Sequence, residues 1–228
     1  MIDTVLLDAG GVILDESEYE RIRAEVAVET LSSIVSGYDL DSYWADVHYA
    51  VKCYVPRVYQ YVLWKHCAES LETFKRVRAE YDAVWKPREP APTLMAGIDR
   101  VLEDLAADFG VIIAGQYGSN LLNLLEEHDL LRFFLNALTQ DDFGITKPDP
   151  RYYQQILERS GRSAGRSVMI GDRIDKDVVP AKIIGMRTVR IRTGIHAEQR
   201  PRIPDEVPDV EIASVAEIPD AVRSLTPA

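Results

Sequence analysis

Val168-Met169-Ile170-Gly171-Asp172-Arg173-Ile174-Asp175-Lys176-Asp177 joins an apolar run to a glycine and three carboxylates, with Pro180-Ala181 and Gly185-Met186 just beyond. The apolar residues read as a buried strand of a parallel sheet. The acids then fall at the carboxyl end of that strand, where open α/β sheets bind ligands. Carboxylates crowded at a strand tip repel one another unless a cation lies between them, and hard oxygen ligands suit magnesium. A polar loop with a capped helix, Asp175 or Asp177 serving as N-cap, is the competing reading of the same residues.

Working outward, Thr4-Val5-Leu6-Leu7 is a second short apolar strand that ends in an acid, Asp8, and Ala9-Gly10-Gly11-Val12-Ile13-Leu14-Asp15 follows as a glycine turn and another apolar segment. Two strand-end acids far apart in sequence converge if their strands are neighbours in one sheet. A third signal is Gly144-Ile145-Thr146-Lys147-Pro148-Asp149-Pro150, which sets a lysine before a rigid Pro-x-Pro loop that starts a helix near Arg151.

In order and spacing, these three segments resemble the haloacid dehalogenase (HAD) superfamily, and the resemblance covers most of the chain. Asp8 resembles that family's nucleophile, Lys147-Pro148-Asp149-Pro150 its lysine motif, and Gly171-Asp172 with Asp177 its metal motif. The resemblance implies an aspartyl-phosphate chemistry in which the carboxylate attacks phosphorus. It implies Mg2+ held by the side chains of Asp8 and Asp172 and by the backbone carbonyl of Gly10. Asp177, and Asp175 as a further candidate, would hold metal-bound water. Lys147 would pair with Asp8 and the phosphoryl oxygens, offsetting charge in the transition state; a solvated loop lysine is the alternative. Arg173 either screens the acids or lies at the surface.

Two departures from the family pattern matter. Its phosphatases usually carry an aspartate two residues after the nucleophile, to protonate the leaving oxygen and activate water; here that residue is Gly10. General acid–base catalysis is typically worth about 10²–10⁴-fold, or roughly 3–5 kcal/mol of barrier. An acidic leaving group, as in an anomeric, acyl or enol phosphate, needs that help least. The second departure is at the end of Val111-Ile112-Ile113-Ala114, where a serine or threonine hydroxyl should bind the phosphoryl group; Gly115-Gln116 stands there instead. The Gly115 N–H, the Gln116 amide and Ser119 are the candidate replacements.

The chain has 228 residues, 46% apolar and 28% charged, with a net charge of −11. That suits a globular protein and disfavours nucleic acid or anionic membranes as partners. No apolar run approaches the length of a membrane span, and no signal segment precedes the first strand. Cys53 and Cys67 fit no zinc pattern and suggest a reducing, cytoplasmic setting.

The expected fold is α/β: a Rossmann-like parallel sheet with helices on both faces, formed by residues 1–15 and 91–228, with an α-helical cap inserted at 16–90. The cap resembles the helical cap of the superfamily, lying over the site. The core pattern alternates helix 97–108, strand 110–115, helix 119–128, strand 136–140, helix 150–159, strand 167–171, helix 177–184, strand 187–192, a strand near 210–212 and helix 214–225. Trp44, Trp64 and Trp85 all lie in the cap, as do eight tyrosines: Tyr19, Tyr38, Tyr43, Tyr49, Tyr54, Tyr59, Tyr61 and Tyr81. They read as the cap's own core, as a pocket for a ring-shaped or apolar substrate, or as a homodimer contact. His48 and His66 read as packed or surface histidines rather than ligands.

The resemblance implies a Mg-dependent phosphatase acting on a small organic phosphate, weakened or narrowed by Gly10. The alternatives are a non-catalytic member that binds a metabolite or a protein, and a 2-haloacid dehalogenase, whose chemistry requires no metal.

Overall fold

The structure is a computed structural model that describes every residue except Gln116, Ala137, Thr139 and residues 226–228. It divides into two compact units, Met1–Asp15 with Pro92–Ala228 and Glu16–Ala91.

The first unit contributes β1 (Thr4–Leu7) and β2 (Leu14–Asp15) before the helical segment intervenes. The intervening unit contains α1 (Ser17–Leu31), α2 (Leu40–Lys52), α3 (Val58–Lys65) and α4 (Leu71–Trp85). The first unit then resumes with β3 (Thr93–Leu94), α5 (Ile98–Asp108), β4 (Gly110–Ile113), α6 (Ser119–Glu127), α7 (Pro150–Arg159) and β5 (Ser167–Gly171). It closes with α8 (Val179–Ile183), β6 (Arg187–Ile191), β7 (Val210–Ile212) and α9 (Ile218–Ser224).

Five strands form one parallel sheet in the order β4-β1-β5-β6-β7. β1 is fully buried, and its side chains alternate between two cores. Val5 and Leu7 join Val111, Ile113, Val168 and Ile170 against α5, α6 and α9. Leu6 joins Ile112, Met169 and the α7 residues Tyr152, Tyr153 and Ile156 on the other face. A strand covered on both sides has no polar face to alternate with, which is why its sequence is a continuous apolar run. The register pairs Leu7 with Ile113 on one side and with Ile170 on the other, so β1 and β5 end side by side. That alignment is what brings the two strand-end acids together.

Two expected elements differ, and a third falls partly outside the described residues. The helix expected over 177–184 is preceded by a π-type turn at Ile174–Val178, and neither Asp175 nor Asp177 caps a helix N-terminus. Instead the Arg173 N–H donates back to Asp177 Oδ2 at 3.0 Å. The helix expected over 214–225 opens as a 3₁₀ turn, Val215–Glu217, under a Ser214/Glu217 capping box. The strand expected over 136–140 includes Ala137 and Thr139, which lie outside the described residues. Next to it, Phe134 makes a single parallel bridge to Val111 and a 3₁₀ turn begins at Gln140.

In the helical unit, Asp39 caps α2 and Ser70 caps α4 through their side chains. Asp46, 5% exposed, is satisfied by Lys65, by the Tyr38 hydroxyl at 3.0 Å and by His66 Nε2 at 2.6 Å. Tyr38, Tyr43, Tyr81 and Trp85 are buried, whereas Tyr49 and Trp64 are exposed. Among the described residues no helix is long and apolar enough to cross a membrane.

Candidate active site

Asp8 follows β1 directly, and its backbone N–H donates to the Ile170 carbonyl at 2.8 Å, extending the strand pairing by one residue. The chain then turns sharply: the N–H groups of Val12, Ile13 and Leu14 all converge on the Ala9 carbonyl. Gly11 takes a positive φ of 68°, a conformation that glycine adopts without steric cost. Gly10 lies within this turn and bridges to Leu14. The Ala9 N–H donates to Asp8 Oδ1 at 2.8 Å, which helps to orient the carboxylate.

Asp172 follows β5 in the same way and is 7% exposed. Asp177 comes from the π-type turn and is buried. One carboxylate oxygen from each of Asp8, Asp172 and Asp177 lies within 4.8 Å of the others. Three acids at that spacing, from three segments, form a hard-oxygen donor set suited to a magnesium ion. Asp175 stands outside that group. Its carboxylate receives the Arg173 guanidinium at 2.7 and 3.1 Å and the Gln199 amide at 3.1 Å. Arg173 is therefore not a surface residue: its side chain is 12% exposed and closes on Asp175.

Lys147 precedes α7, which starts at Pro150 under an Asp149 cap. Its side chain is 2% exposed, with Nζ at 2.8 Å from Asp8 Oδ1 and 2.6 Å from Asp177 Oδ1. Burial works against the ammonium charge, but Asp177 and Asp8 outweigh it and hold Lys147 well above its ordinary pKa. Burial also pushes the Asp177 carboxyl up, opposed by Lys147. With the Lys147 ammonium and the Arg173 N–H both donating to it, Asp177 is held as the carboxylate partner of the pair. The Tyr153 hydroxyl, buried on α7, directs its proton between the Lys176 carbonyl at 2.8 Å and Asp177 Oδ1 at 3.2 Å.

Gly115 is fixed by its neighbour. A Cβ at this position would lie 2.4 Å from the Ala9 Cβ, so the methyl of the residue after Asp8 fills the space where a side chain at 115 would start. The Gly115 carbonyl accepts from the Tyr152 hydroxyl at 3.0 Å. Ser119 opens α6 as an exposed residue, and Gln116 lies outside the described residues.

Sequence reasoning missed four residues around these acids: Tyr153, Arg190, Thr193 and Gln199. Arg190 had a usable signal, because a charged residue inside Thr188-Val189-Arg190-Ile191 interrupts a strand that is otherwise apolar. The others have none, since their roles depend on contacts across the fold.

A HAD-hydrolase-like family profile matches residues 144–218, the segment that carries Lys147, Asp172 and Asp177. A glyceraldehyde 3-phosphate phosphatase of Methanopyrus kandleri is 34% identical over 137 residues, covering 59% of this chain and 55% of that protein. A phosphoserine phosphatase of Thermus thermophilus is 33% identical over 89 residues, covering 39% of this chain and 34% of that protein. The chain thus spans between about a third and about half of the length of these relatives. A magnesium-bound HAD-hydrolase from Bacillus subtilis shares the fold, with a TM-score of 0.65 at 19% identity over 97% of this chain and 98% of that one.

Proposed function

We propose that this chain, which belongs to the haloacid dehalogenase superfamily, is a magnesium-dependent phosphatase acting on a small phosphorylated metabolite. The observation that carries the reading is the buried Lys147 ammonium bridging Asp8 and Asp177, with Asp172 completing a three-carboxylate group. Phosphatase names among the relatives support the same chemistry.

Magnesium, held by the Asp8 and Asp172 side chains and the Gly10 carbonyl, would neutralise the phosphoryl oxygens. Asp177 would hold water on the ion. The free oxygen of Asp8 would attack phosphorus as the bond to the leaving oxygen breaks, giving an aspartyl-phosphate that water then hydrolyses. Lys147 would stabilise the charge that builds on the phosphoryl oxygens. Gly10 supplies no side-chain proton to the leaving oxygen, so the proton must come from water. Acyl, anomeric and enol phosphates, whose leaving groups are acidic, are therefore the best substrates. Residues 16–90 would act as the helical cap of the core formed by 1–15 and 91–228. The free thiols Cys53 and Cys67 support a cytoplasmic setting.

Gly10 and the closed position at Gly115 favour one second reading, a non-catalytic member that binds a metabolite. Phosphate release from a panel of sugar, acyl, enol and aryl phosphates separates the two. The phosphatase gives magnesium-dependent turnover that Asp8→Asn abolishes; the binder gives ligand-induced stabilisation without turnover.

A further inference from the structure

Arg190 is fully buried on β6, where its guanidinium pairs with Glu211. Its N–H groups donate to five acceptors. Nε donates to the Asp172 carbonyl at 3.3 Å. One terminal nitrogen donates to the Gln199 carbonyl at 3.0 Å and to Glu211 at 3.1 Å. The other donates to the carbonyls of His196 at 2.8 Å and Ala197 at 3.3 Å. Arg190 thus ties the backbone of Asp172 to the turn at 196–199.

That turn returns a second tie. The Gln199 side chain, 1% exposed, accepts from the Ile174 N–H at 2.9 Å and donates to Asp175 Oδ1 at 3.1 Å. The loop from Asp172 to Asp175 is therefore held at both ends by one short segment. The same segment also reaches the other acid-bearing loop. Thr193 Oγ1 donates to the Gly11 carbonyl at 2.9 Å, and a Cβ on Gly11 would lie 3.0 Å from that oxygen. Neither contact brings a ligand to the metal, but both loops are fastened to a common support.

We propose that Arg190, Thr193 and Gln199 are positioning residues for the metal site: the segment after β6 sets the spacing between the Asp8 loop and the Asp172 loop. The inference rests on the functional reading above in that it takes those loops to hold magnesium. Three carboxylates repel one another, so without such a support their loops relax apart until an ion draws them together. Assembling the site in advance removes that reorganisation from the binding step, as outer groups around metal ligands do elsewhere.

The test is magnesium binding itself, followed by titration calorimetry on the full chain. Thr193→Val keeps the shape and deletes only the hydroxyl; Gln199→Leu keeps the bulk and deletes the amide. Each should raise the magnesium Kd about tenfold or more, while the metal-free melting temperature of Thr193→Val stays close to that of the wild type. Arg190→Lys, which cannot reproduce the fork, should raise it further; if that variant does not fold, the other two still decide the matter. The wild-type titration distinguishes the two possible failures. No magnesium uptake by the wild type contradicts the functional reading and this inference with it. Uptake that is unchanged in folded Thr193→Val and Gln199→Leu contradicts the inference alone, and assigns these residues a purely structural role.

Discussion

Asp177 occupies the volume that a side chain on Gly171 would fill: a Cβ at Gly171 would lie 2.4 Å from Asp177 Cγ and 2.4 Å from its Oδ2. Gly171 ends β5 at a negative φ, so close approach rather than backbone freedom is what requires glycine there. Gly171→Ala should push Asp177 away from both Lys147 and the Arg173 N–H. Overpacking of this kind costs about 1–3 kcal/mol. Urea unfolding should register that loss, and magnesium uptake should weaken with it. An alanine variant with wild-type stability and wild-type uptake would show that Asp177 does not depend on this contact.

Lys147 is the only cation within ion-pair distance of Asp8 and Asp177 among the described residues. Lys147→Met would leave the buried Asp177 carboxylate without its counter-charge, a change that costs about 3–5 kcal/mol when one partner of a buried pair is removed. Denaturant titration without metal should show that loss. Because magnesium would supply positive charge near the same acids, adding it should recover part of the stability while leaving the variant inactive.

Gly115 and Ala9 are packed together, which makes a simple restoration of the missing hydroxyl fail. Gly115→Ser places its Cβ against the Ala9 methyl and should destabilise the protein by about 1–3 kcal/mol. The pair Ala9→Gly with Gly115→Ser should recover most of that loss, because the clashing methyl is gone. A double-mutant cycle on melting temperature checks the coupling; additive effects would refute it.

The helical unit carries its own pH dependence. Burial, with the nearby Glu16 carboxylate, pushes the Glu20 carboxyl from 4.5 up to about 7, although the Tyr59 hydroxyl and Arg23 pull it down. A carboxyl raised in the folded state favours folding fully below its unfolded value, and that contribution is lost as pH rises through about 7. A shift of this size corresponds to about 3 kcal/mol between pH 4.5 and a pH well above 7. Glu20→Gln keeps an acceptor for Tyr59 and cannot ionise. Its stability relative to the wild type should therefore grow from acid to alkaline pH, and an unchanged difference across that range would contradict the assignment.

Much of this arrangement was legible in the sequence because strands buried on both faces announce themselves as continuous apolar runs. β5 falls at 167–171 as expected, and β1 delivers Asp8 to its end. The joining of Asp8, Asp172, Asp177 and Lys147 is likewise what the order of the motifs implied. The turn at Ile174–Val178 was not legible, because aspartates at a loop–helix junction signal an N-cap and Asp177 instead reaches back to the Arg173 N–H. Arg173 was open to either placement because its position is settled by Asp175, which Gln199 holds from a distant turn. The space taken by Ala9 at Gly115 was beyond reach for the same reason: it is a contact between neighbouring strand ends, not a local pattern.

The most direct measurement is a single turnover with a radiolabelled acyl phosphate and magnesium, stopped in acid and mapped by peptide mass spectrometry. The account predicts label on the peptide that contains Asp8, absent from Asp8→Asn and absent when magnesium is chelated. Phosphate release with no labelled protein, or label that survives in Asp8→Asn, would contradict it.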